Sequence, residues 1–254
     1  TLVIELQKAE IDKQLDMAKR IQESLFPSKP EGTEPMEISF RNVPMMKVGG
    51  DLFDIYWNPE TKEMGAFIGD VSGHGIPAAF LSALVKMSLD FWVRNPKKLI
   101  ESLEQIRIQL TPNLKDHFLT ASLLHIDTKT GIITFARAGH FPLYIIRKSG
   151  SLIILKPTGR LITPFFPLLA TDESFKLESG DLIVLLTDGL TEATKPEQIE
   201  MYGEEKLLED ITEMRFQSLD FIRDQVFKTI LDYSGGIELI QDDLTLVLLR
   251  YNLN

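Results

Sequence analysis

The 254-residue sequence predicts an α+β protein in which helices pack on layers of antiparallel sheet. Four candidate strands follow one another between residues 119 and 155, and Thr130-Gly131 and Ser149-Gly150 are tight-turn signals between them. Strands joined by such short turns pair antiparallel. Helices are predicted in pairs on either side of this group of strands. Leu182–Leu186 is nearly all apolar, which is typical of a strand that is covered on both faces.

Residues 1–26 predict one helix that carries a seven-residue apolar repeat. The repeat consists of Ile4, Ile11, Ala18 and Leu25, and the companion seam positions hold Thr1, Lys8, Leu15 and Gln22. Because the companion seam is mostly polar, two interpretations stay open: a coiled coil, and a helix packed on its own domain. Prolines at positions 27 and 30 end the helix. We therefore expect a linker helix at 1–30 and a globular domain at 31–254.

The other elements follow in chain order. They are strands at 38–43, 52–57 and 64–68, helices at 78–93 and 97–110, strands at 119–126, 132–138, 143–147 and 152–155, the apolar strand, helices at 204–214 and 219–233, and a strand at 244–250. Gly69-Asp70 is expected to end the third strand and Pro112 to end the second of these helices. Ser218 is a candidate N-cap for the last helix.

Composition excludes several classes of function. Asp plus Glu number 37 against 27 Lys plus Arg, so the net charge of −10 argues against a nucleic-acid surface. The sequence has no Cys, which excludes disulfides, thiolate catalysis and Cys-based zinc sites. No signal peptide and no apolar run of about 18 residues are evident, so a cytoplasmic location is expected. The chain begins with Thr1 rather than Met, and we expect it to be part of a longer protein.

Four aspartates stand where a predicted strand begins or ends. They are Asp51 after Gly49-Gly50, Asp70 after Gly69, Asp188 before Gly189, and Asp242 beside Asp243. Carboxylates at the ends of strands in a rigid sheet can converge on one site. Oxygen ligands without Cys suit hard ions such as Mg²⁺ or Mn²⁺. The segments with glycine are each more often only a turn, and Asp242-Asp243 alone is compatible with a solvated loop, so the ordered set of four carries the prediction.

This ordered set resembles the PPM-type protein phosphatases, and within them the bacterial SpoIIE/RsbU branch. The matching segments are Val48-Gly49-Gly50-Asp51, Gly69-Asp70-Val71-Ser72-Gly73-His74-Gly75, Ala138-Gly139-His140, Gly180-Asp181, Thr187-Asp188-Gly189-Leu190-Thr191-Glu192-Ala193 and Asp242-Asp243-Leu244-Thr245. Residues 20–27 also resemble the helix that precedes the domain in that branch.

The resemblance implies a four-layer α/β/β/α fold, in which a central antiparallel β-sandwich is flanked by helix pairs. It implies hydrolysis of phosphoserine or phosphothreonine on a regulatory protein, such as an anti-sigma-factor antagonist, by a metal-activated water. It also implies two ions, Mn²⁺ or Mg²⁺. We also expect an upstream sensor domain that controls the activity, and a weak homodimer that forms through the N-terminal helix.

Carried over by position, Asp70 is expected to bridge both ions, with the carbonyl of Val71 on one of them. Asp188 and Asp242 are expected to hold the other ion. Asp51 is expected to orient a water or to bind the second ion directly.

Other residues near these motifs are ambiguous from the sequence. Asp243 is expected to support the ligands. His74 is either a proton donor or substrate ligand, or a cap of the helix that follows. Lys47 either meets the phosphate or is simply exposed. The segment 158–167 departs from the pattern of the branch, so the sequence assigns it no role.

Three rival interpretations remain. The first is a phosphatase-like binding module that does not turn over substrate. The second is another two-carboxylate enzyme such as a glycosidase, which four dispersed aspartates disfavour. The third is a dimeric signalling scaffold, which is compatible with catalysis.

Overall fold

The computed structural model describes residues 2–196 and 200–253. Its helices are α1 (Leu2–Glu23), α2 (Ile76–Ser88), α3 (Asp90–Arg94), α4 (Leu99–Leu114), α5 (Asp188–Thr191), α6 (Glu204–Glu213) and α7 (Leu219–Ser234). Its strands are β1 (Met36–Val43), β2 (Leu52–Asn58), β3 (Glu63–Val71), β4 (Leu119–Asp127), β5 (Ile132–Ala138), β6 (Leu143–Ile146), β7 (Leu152–Leu155), β8 (Asp172–Lys176), β9 (Asp181–Leu186) and β10 (Leu244–Tyr251).

The strands form two antiparallel five-stranded sheets. One sheet has the order β1-β10-β9-β6-β7 and the other has the order β2-β3-β4-β5-β8. The apolar strand β9 is buried at every position, as its composition predicts. It pairs with β10 in a register that sets Leu186 opposite Leu246, so both strands end or begin at one edge of the sandwich.

The hydrophobic core is divided into three layers, which confirms the predicted four-layer α/β/β/α arrangement. Between the sheets lie side chains such as Ile68, Phe135 and Val247. The outer face of the first sheet packs on α6 and α7. The outer face of the second sheet packs on α2 and α4. Burial of these apolar surfaces is the main source of stability for such a layered fold.

Two predicted element ends were wrong. Gly69-Asp70 does not end β3, because Asp70 and Val71 continue the ladder opposite Thr120 and Leu119 of β4. Pro112 lies inside α4 rather than after it. The extra turn buries Leu114 completely, and this burial offsets the cost of a proline late in a helix.

Two further elements, β8 and α5, were not predicted from the sequence. Strand β8 is mostly polar and exposed because it is an edge strand that pairs only with β5, so it lacks an apolar pattern. Helix α5 is a single turn after β9. The predicted N-cap of α7 is confirmed, since the hydroxyl of Ser218 accepts a hydrogen bond from the N–H of Phe221.

One helical stretch, Ile76–Arg94, is long and apolar enough to cross a membrane by composition, with a mean hydropathy of 1.4. The sequence analysis identified no such stretch. Ala78, Val85 and Trp92 of this stretch are fully buried against the second sheet. Packing on the sheet therefore accounts for part of its apolar composition.

Helix α1 packs on its own domain at its C-terminal end and leaves its first turns exposed, and the coiled coil stays a prediction. Ala18 and Leu25 are half-buried and Gln22 is buried, so the end of the helix packs on the domain. Ile4 and Ile11 are exposed. Thr1, which the heptad pattern includes, lies outside the described residues. The division of the chain at residue 30 stays a prediction.

Candidate metal centre

The four predicted aspartates come to one end of the β-sandwich. Asp51 directly precedes β2 and Asp70 lies near the end of β3, both in the second sheet. Asp188 follows β9 as the first residue of α5, and Asp242 lies just before β10, both in the first sheet. Each sheet therefore contributes two carboxylates to the same edge.

Among the aspartates that remain partly accessible to solvent, Asp70 has the pKa that is shifted most. Burial, followed by repulsion from the carboxylates of Asp188, Asp242 and Asp243, raises the pKa of its carboxyl group to about 7. Like charges raise a carboxyl pKa only when they are near one another. The electrostatics of Asp70 therefore show that carboxylates from both sheets converge.

Asp242 and Asp188 are perturbed in the same way. Burial, together with repulsion from the carboxylates of Asp188 and Asp243, raises the pKa of Asp242 to about 6. Burial likewise raises the pKa of Asp188, with further repulsion from Glu192. The side chain of His74 lowers the pKa of Asp242, which places this histidine close enough to influence the cluster. The clustered carboxylates give this end of the sandwich a strongly negative electrostatic potential, which favours a bound cation.

Asp51 is the most deeply buried of the four. Its Oδ2 accepts hydrogen bonds from the hydroxyls of Thr187, at 2.7 Å, and Thr245. Burial raises its pKa well above the usual range, followed by repulsion from Asp70 and Asp243, whereas the two threonines act in the opposite direction. One oxygen of Asp51 is thus fixed by hydroxyls from β10 and from the residue before α5.

Asp243 supports the loop that carries Asp51. Its Oδ1 accepts the N–H of Met45 at 2.8 Å, and its Oδ2 accepts the N–H of Gly50 at 2.7 Å and that of Asp51 at 3.3 Å. A Cβ on Gly49 would lie 2.0 Å from Oδ2, so this approach requires glycine. Both carboxylate oxygens are engaged by backbone donors, in agreement with the supporting role expected for Asp243.

The backbone of Gly50 lies directly against the end of β3. A Cβ at this position would lie 2.5 Å from the carbonyl oxygen of Val71 and 3.4 Å from Oδ1 of Asp70. The glycine therefore keeps the space beside the Val71 carbonyl free of side-chain atoms. This is the backbone oxygen that the family resemblance assigns to an ion.

The glycine loop after Val71 is held by a histidine that the sequence analysis did not select. Nδ1 of His117 donates to the carbonyl oxygen of Ser72 at 2.7 Å, and the N–H of Phe118 donates to the Ser72 hydroxyl at 2.9 Å. His74 is exposed on this loop. It makes no capping hydrogen bond to α2, whose N-cap is Gly75 without a side-chain cap.

Lys47 and His140 have structural contacts. The ammonium of Lys47 lies 2.8 Å from Asp16 and 3.6 Å from Asp12 of α1, so it binds the N-terminal helix rather than pointing freely into solvent. His140 is buried; its Nε2 donates to the carbonyl of Leu186, and its Nδ1 accepts the hydroxyl of Thr120. Burial lowers the pKa of His140 to about 4. His140 therefore ties β4 to β9 at the edge where the aspartates converge.

The donor set fits hard divalent ions. All the converging side chains present carboxylate oxygens, and the Val71 carbonyl stands open beside Gly50. In the described part of the chain, no group of three or more histidine, aspartate or glutamate side chains is arranged, as it stands, to hold a metal ion. The raised pKa values nevertheless mark carboxylates that repel one another and that a cation would stabilise.

Several contributors to this site were not singled out from the sequence. Thr187 and Thr245 lie within the motifs quoted above, but only the structure shows that both donate to Asp51. Gln22 appeared to be a polar residue on a weak seam, yet its side chain bonds the backbone of Gly49. His117 lies in no motif. Long-range contacts of this kind leave no local signal in one sequence.

Comparisons with known proteins agree with the fold. The family model of the stage II sporulation protein E (SpoIIE) matches residues 60–252. The phosphoserine phosphatase RsbU of Bacillus subtilis is 27% identical over 252 residues, which cover 95% of this chain and 71% of RsbU. The chain spans between 42% and 71% of the length of the curated relatives that it matches.

Solved structures show the same architecture. The PP2C domain of SiaA from Pseudomonas aeruginosa superposes with a TM-score of 0.84 at 21% identity, covering 97% of this chain and 99% of that domain. RsbX in complex with magnesium superposes with a TM-score of 0.62 at 16% identity, covering 88% of this chain and 97% of RsbX. The family match spans most of the chain, and the chain therefore belongs to the SpoIIE family of PPM-type serine/threonine phosphatase domains.

Proposed function

We propose that this domain hydrolyses phosphoserine or phosphothreonine on a regulatory protein, using two Mn²⁺ or Mg²⁺ ions. The observation that carries the proposal is the convergence of carboxylates from both sheets on Asp70, whose pKa rises to about 7 through burial and then through its acidic neighbours. A fold without a metal-dependent role gains nothing from crowding these charges. RsbX, which shares this fold, forms a complex with magnesium, and this supports the same donor chemistry here.

The residues have distinct proposed roles. Asp70 would hold both ions, and the carbonyl of Val71 would hold one of them. Asp188 and Asp242 would hold the other ion. Asp51 binds the second ion directly or orients a water, since Thr187 and Thr245 fix one of its oxygens and leave the other for this role.

Ions bound here would neutralise the negative charge of the phosphoryl oxygens. They would also lower the pKa of a bound water, so that hydroxide is available at neutral pH. The protein holds the ligands on strand ends, and Asp243 fixes the loop of Asp51 through three backbone N–H groups. His74 is exposed beside Asp242, where it is able to meet the substrate or protonate the leaving oxygen. Since water is the nucleophile in this scheme, no Cys or Ser nucleophile is required.

The substrate class is inferred from the relatives. RsbU is named a phosphoserine phosphatase, and we infer that this chain acts on a phosphorylated regulatory protein in a partner-switching pathway. An anti-sigma-factor antagonist is the type that fits best.

The second candidate function is a binding module of the same fold that does not turn over substrate. Hydrolysis of p-nitrophenyl phosphate, measured with Mn²⁺, with Mg²⁺ and with excess chelator, separates the two. Turnover with either ion that stops with chelator supports the phosphatase. Binding of the ions without turnover of this ester or of a phosphoserine peptide favours the binding module.

We further propose that α1 transmits a signal from a sensor outside the described residues and pairs with a second copy as a weak homodimer. Ile4 and Ile11 are 68% and 57% exposed, one heptad apart on the same face. An apolar stripe of this kind is stabilised by a partner helix. Near the other end of α1, Gln22 bonds the backbone of Gly49 in the loop that carries Asp51. Pairing of α1 with a second copy is therefore connected to the candidate site by direct hydrogen bonds.

A further inference from the structure

The loop between β7 and β8 exposes three large apolar side chains. Phe165, Phe166 and Leu169 are 67%, 52% and 51% exposed. Phe165 and Phe166 lie in the segment 158–167, whose sequence departs from that of the family, and the proposed chemistry assigns the loop no part. We call Thr158–Thr171 the β7–β8 loop. Neighbouring exposed aromatic side chains on one loop are characteristic of a surface that binds another molecule.

The β7–β8 loop is anchored at its base. The N–H of Thr171 donates to the carbonyl of Thr158, and the N–H of Arg160 donates to that of Leu169, both at 2.8 Å. Gly159 lies so close to the carbonyl of Arg137 that a Cβ would be 1.8 Å from its oxygen. The guanidinium of Arg160 stacks 5.3 Å from the ring centroid of Phe166. The exposed side chains are therefore presented by a fixed frame.

The frame is attached to the end of the sandwich that carries the aspartates. Ile162 and Leu119 exchange two backbone hydrogen bonds, at 2.8 and 2.9 Å. Leu119 pairs in turn with Val71, which follows Asp70. Two strand spacings separate Val71 from Ile162 by about 10 Å. Phe165 follows Ile162 by three residues, so its Cα lies no more than about 20 Å from Val71.

We propose that the β7–β8 loop is the docking surface for the phosphoprotein substrate, and that it binds apolar side chains near the phosphorylated residue. This inference rests on the proposed phosphatase function. A distance of at most about 20 Å corresponds to about three to six residues of extended chain on one side of the phosphoserine. The occupant is thus a phosphoprotein that presents apolar residues at those positions.

The test uses two synthetic phosphoserine peptides of equal length. One carries Leu three and five residues from the phosphoserine on each side, and the other carries Gln at the same positions. With Mn²⁺ present, the parent is expected to favour the Leu peptide at least about tenfold in kcat/KM, since burial of apolar side chains favours binding. In the double variant Phe165→Ser/Phe166→Ser, the preference is expected to fall to within about twofold of unity.

Phe216→Ser provides a matched control. Phe216 is 66% exposed, but the backbone carbonyl of its neighbour Arg215 accepts a hydrogen bond from Arg250 near the end of β10. Asp242 precedes the start of that strand, so the two places are separated by about 25 Å. This variant is expected to keep the peptide preference of the parent. Leu169→Ser is an independent single variant, which is expected to lower the preference without changing either ring.

The possible outcomes are distinct. A parent that hydrolyses p-nitrophenyl phosphate but shows no preference between the peptides overturns the docking surface alone. So does a double variant that keeps the preference, or a Phe216→Ser variant that loses it equally. A parent that hydrolyses neither the ester nor the peptides with Mn²⁺ overturns the phosphatase function, and the docking surface with it. An unfolding temperature for each variant shows that the comparison is made on folded protein.

Discussion

The side-chain amide of Gln22 forms two hydrogen bonds with the backbone of Gly49. Its Nε2 donates to the Gly49 carbonyl at 2.7 Å, and its Oε1 accepts the Gly49 N–H at 3.1 Å. The same Nε2 lies 3.1 Å from the hydroxyl of Ser82 in α2. One side chain of α1 is therefore bonded directly to the loop that carries Asp51, two residues away.

Gln22→Ala is expected to loosen this loop. The buried backbone groups of Gly49 would lose their partner, which costs about 1–3 kcal/mol in the free energy of unfolding. The concentration of Mn²⁺ needed for half-maximal activity should rise, because Asp51 is held less firmly. Activity measured against Mn²⁺ concentration, together with urea unfolding, checks both effects.

Gln14→Ala is the control for that experiment. Gln14 is on the same helix, but it is exposed and bonds only Glu10, at 3.4 Å, among the described residues. It should leave the Mn²⁺ dependence unchanged. An equal Mn²⁺ dependence of the two variants would show that the Gln22 contact does not support the loop that carries Asp51.

Asp70→Asn is expected to abolish turnover while the fold survives. Loss of one ligand forfeits several kcal/mol of transition-state stabilisation, which is roughly a thousandfold or more in kcat/KM. The metal-free variant should be no less stable than the metal-free parent, because a neutral amide relieves the repulsion from Asp188 and Asp242. Steady-state kinetics and thermal unfolding in chelator check the two parts. Activity within tenfold of the parent would remove Asp70 from the proposed site.

The buried His140 should make stability depend on pH. Its folded-state pKa of about 4 lies below the ordinary value of 6.5, so the unfolded state binds more protons between these values. Its contribution is present above about pH 6.5 and is lost as the pH falls towards 4. By this linkage, the stability difference between the parent and His140→Gln should shrink by about 2.5 kcal/mol from pH 7.5 to pH 4.5.

The comparison with the variant is necessary because other groups act in the opposite direction. Asp70 and Asp242 have raised pKa values, so without metal they favour the folded state as the pH falls. These contributions are common to the parent and the variant, and they cancel in the difference. Urea unfolding in chelator at pH 7.5 and at pH 4.5 measures this difference in the free energy of unfolding. A difference that does not change with pH would contradict a neutral, buried His140.

Ile4→Asp and Ile11→Asp together are expected to shift the protein from a weak dimer to a monomer. Both positions are exposed, so the change should not disturb the packing of the domain. Leu25 is less suitable for this test, since it is half-buried and lines a small cavity with Phe26. Light scattering across a concentration series measures the mass. An oligomer that is unchanged, with rates equal to those of the parent, would reject pairing through α1.

Much of the fold was predictable because its signals are local. The apolar composition of β9, the turns at Thr130-Gly131 and Ser149-Gly150, and the Ser218 cap each act within a few residues. The end of β3 was not predictable, since it depends on pairing with β4 almost 50 residues away. A polar edge strand such as β8 carries no apolar alternation for a pattern to detect.

The candidate site divides in the same way. Asp51, Asp70 and Asp188 stand beside glycines, and Asp242 stands beside Asp243, each close to where a strand begins or ends, so the sequence reveals them. The groups that position them come from distant segments: Thr245 donates to Asp51 across 194 positions, and Gln22 reaches Gly49 across 27. Lys47 was considered as a phosphate ligand because of its neighbours in sequence, yet α1 provides its partners. Only the folded arrangement determines such pairings.

The central claim is that Asp70 lies between two ions, and a crystal soaked in Mn²⁺ tests it most directly through anomalous scattering. Two anomalous peaks about 3.5–4 Å apart are expected. Asp70 should contact both, and Asp51, the Val71 carbonyl, Asp188 and Asp242 should complete the two sites. No anomalous peak at this edge of the sandwich, or peaks that Asp70 does not contact, would contradict it.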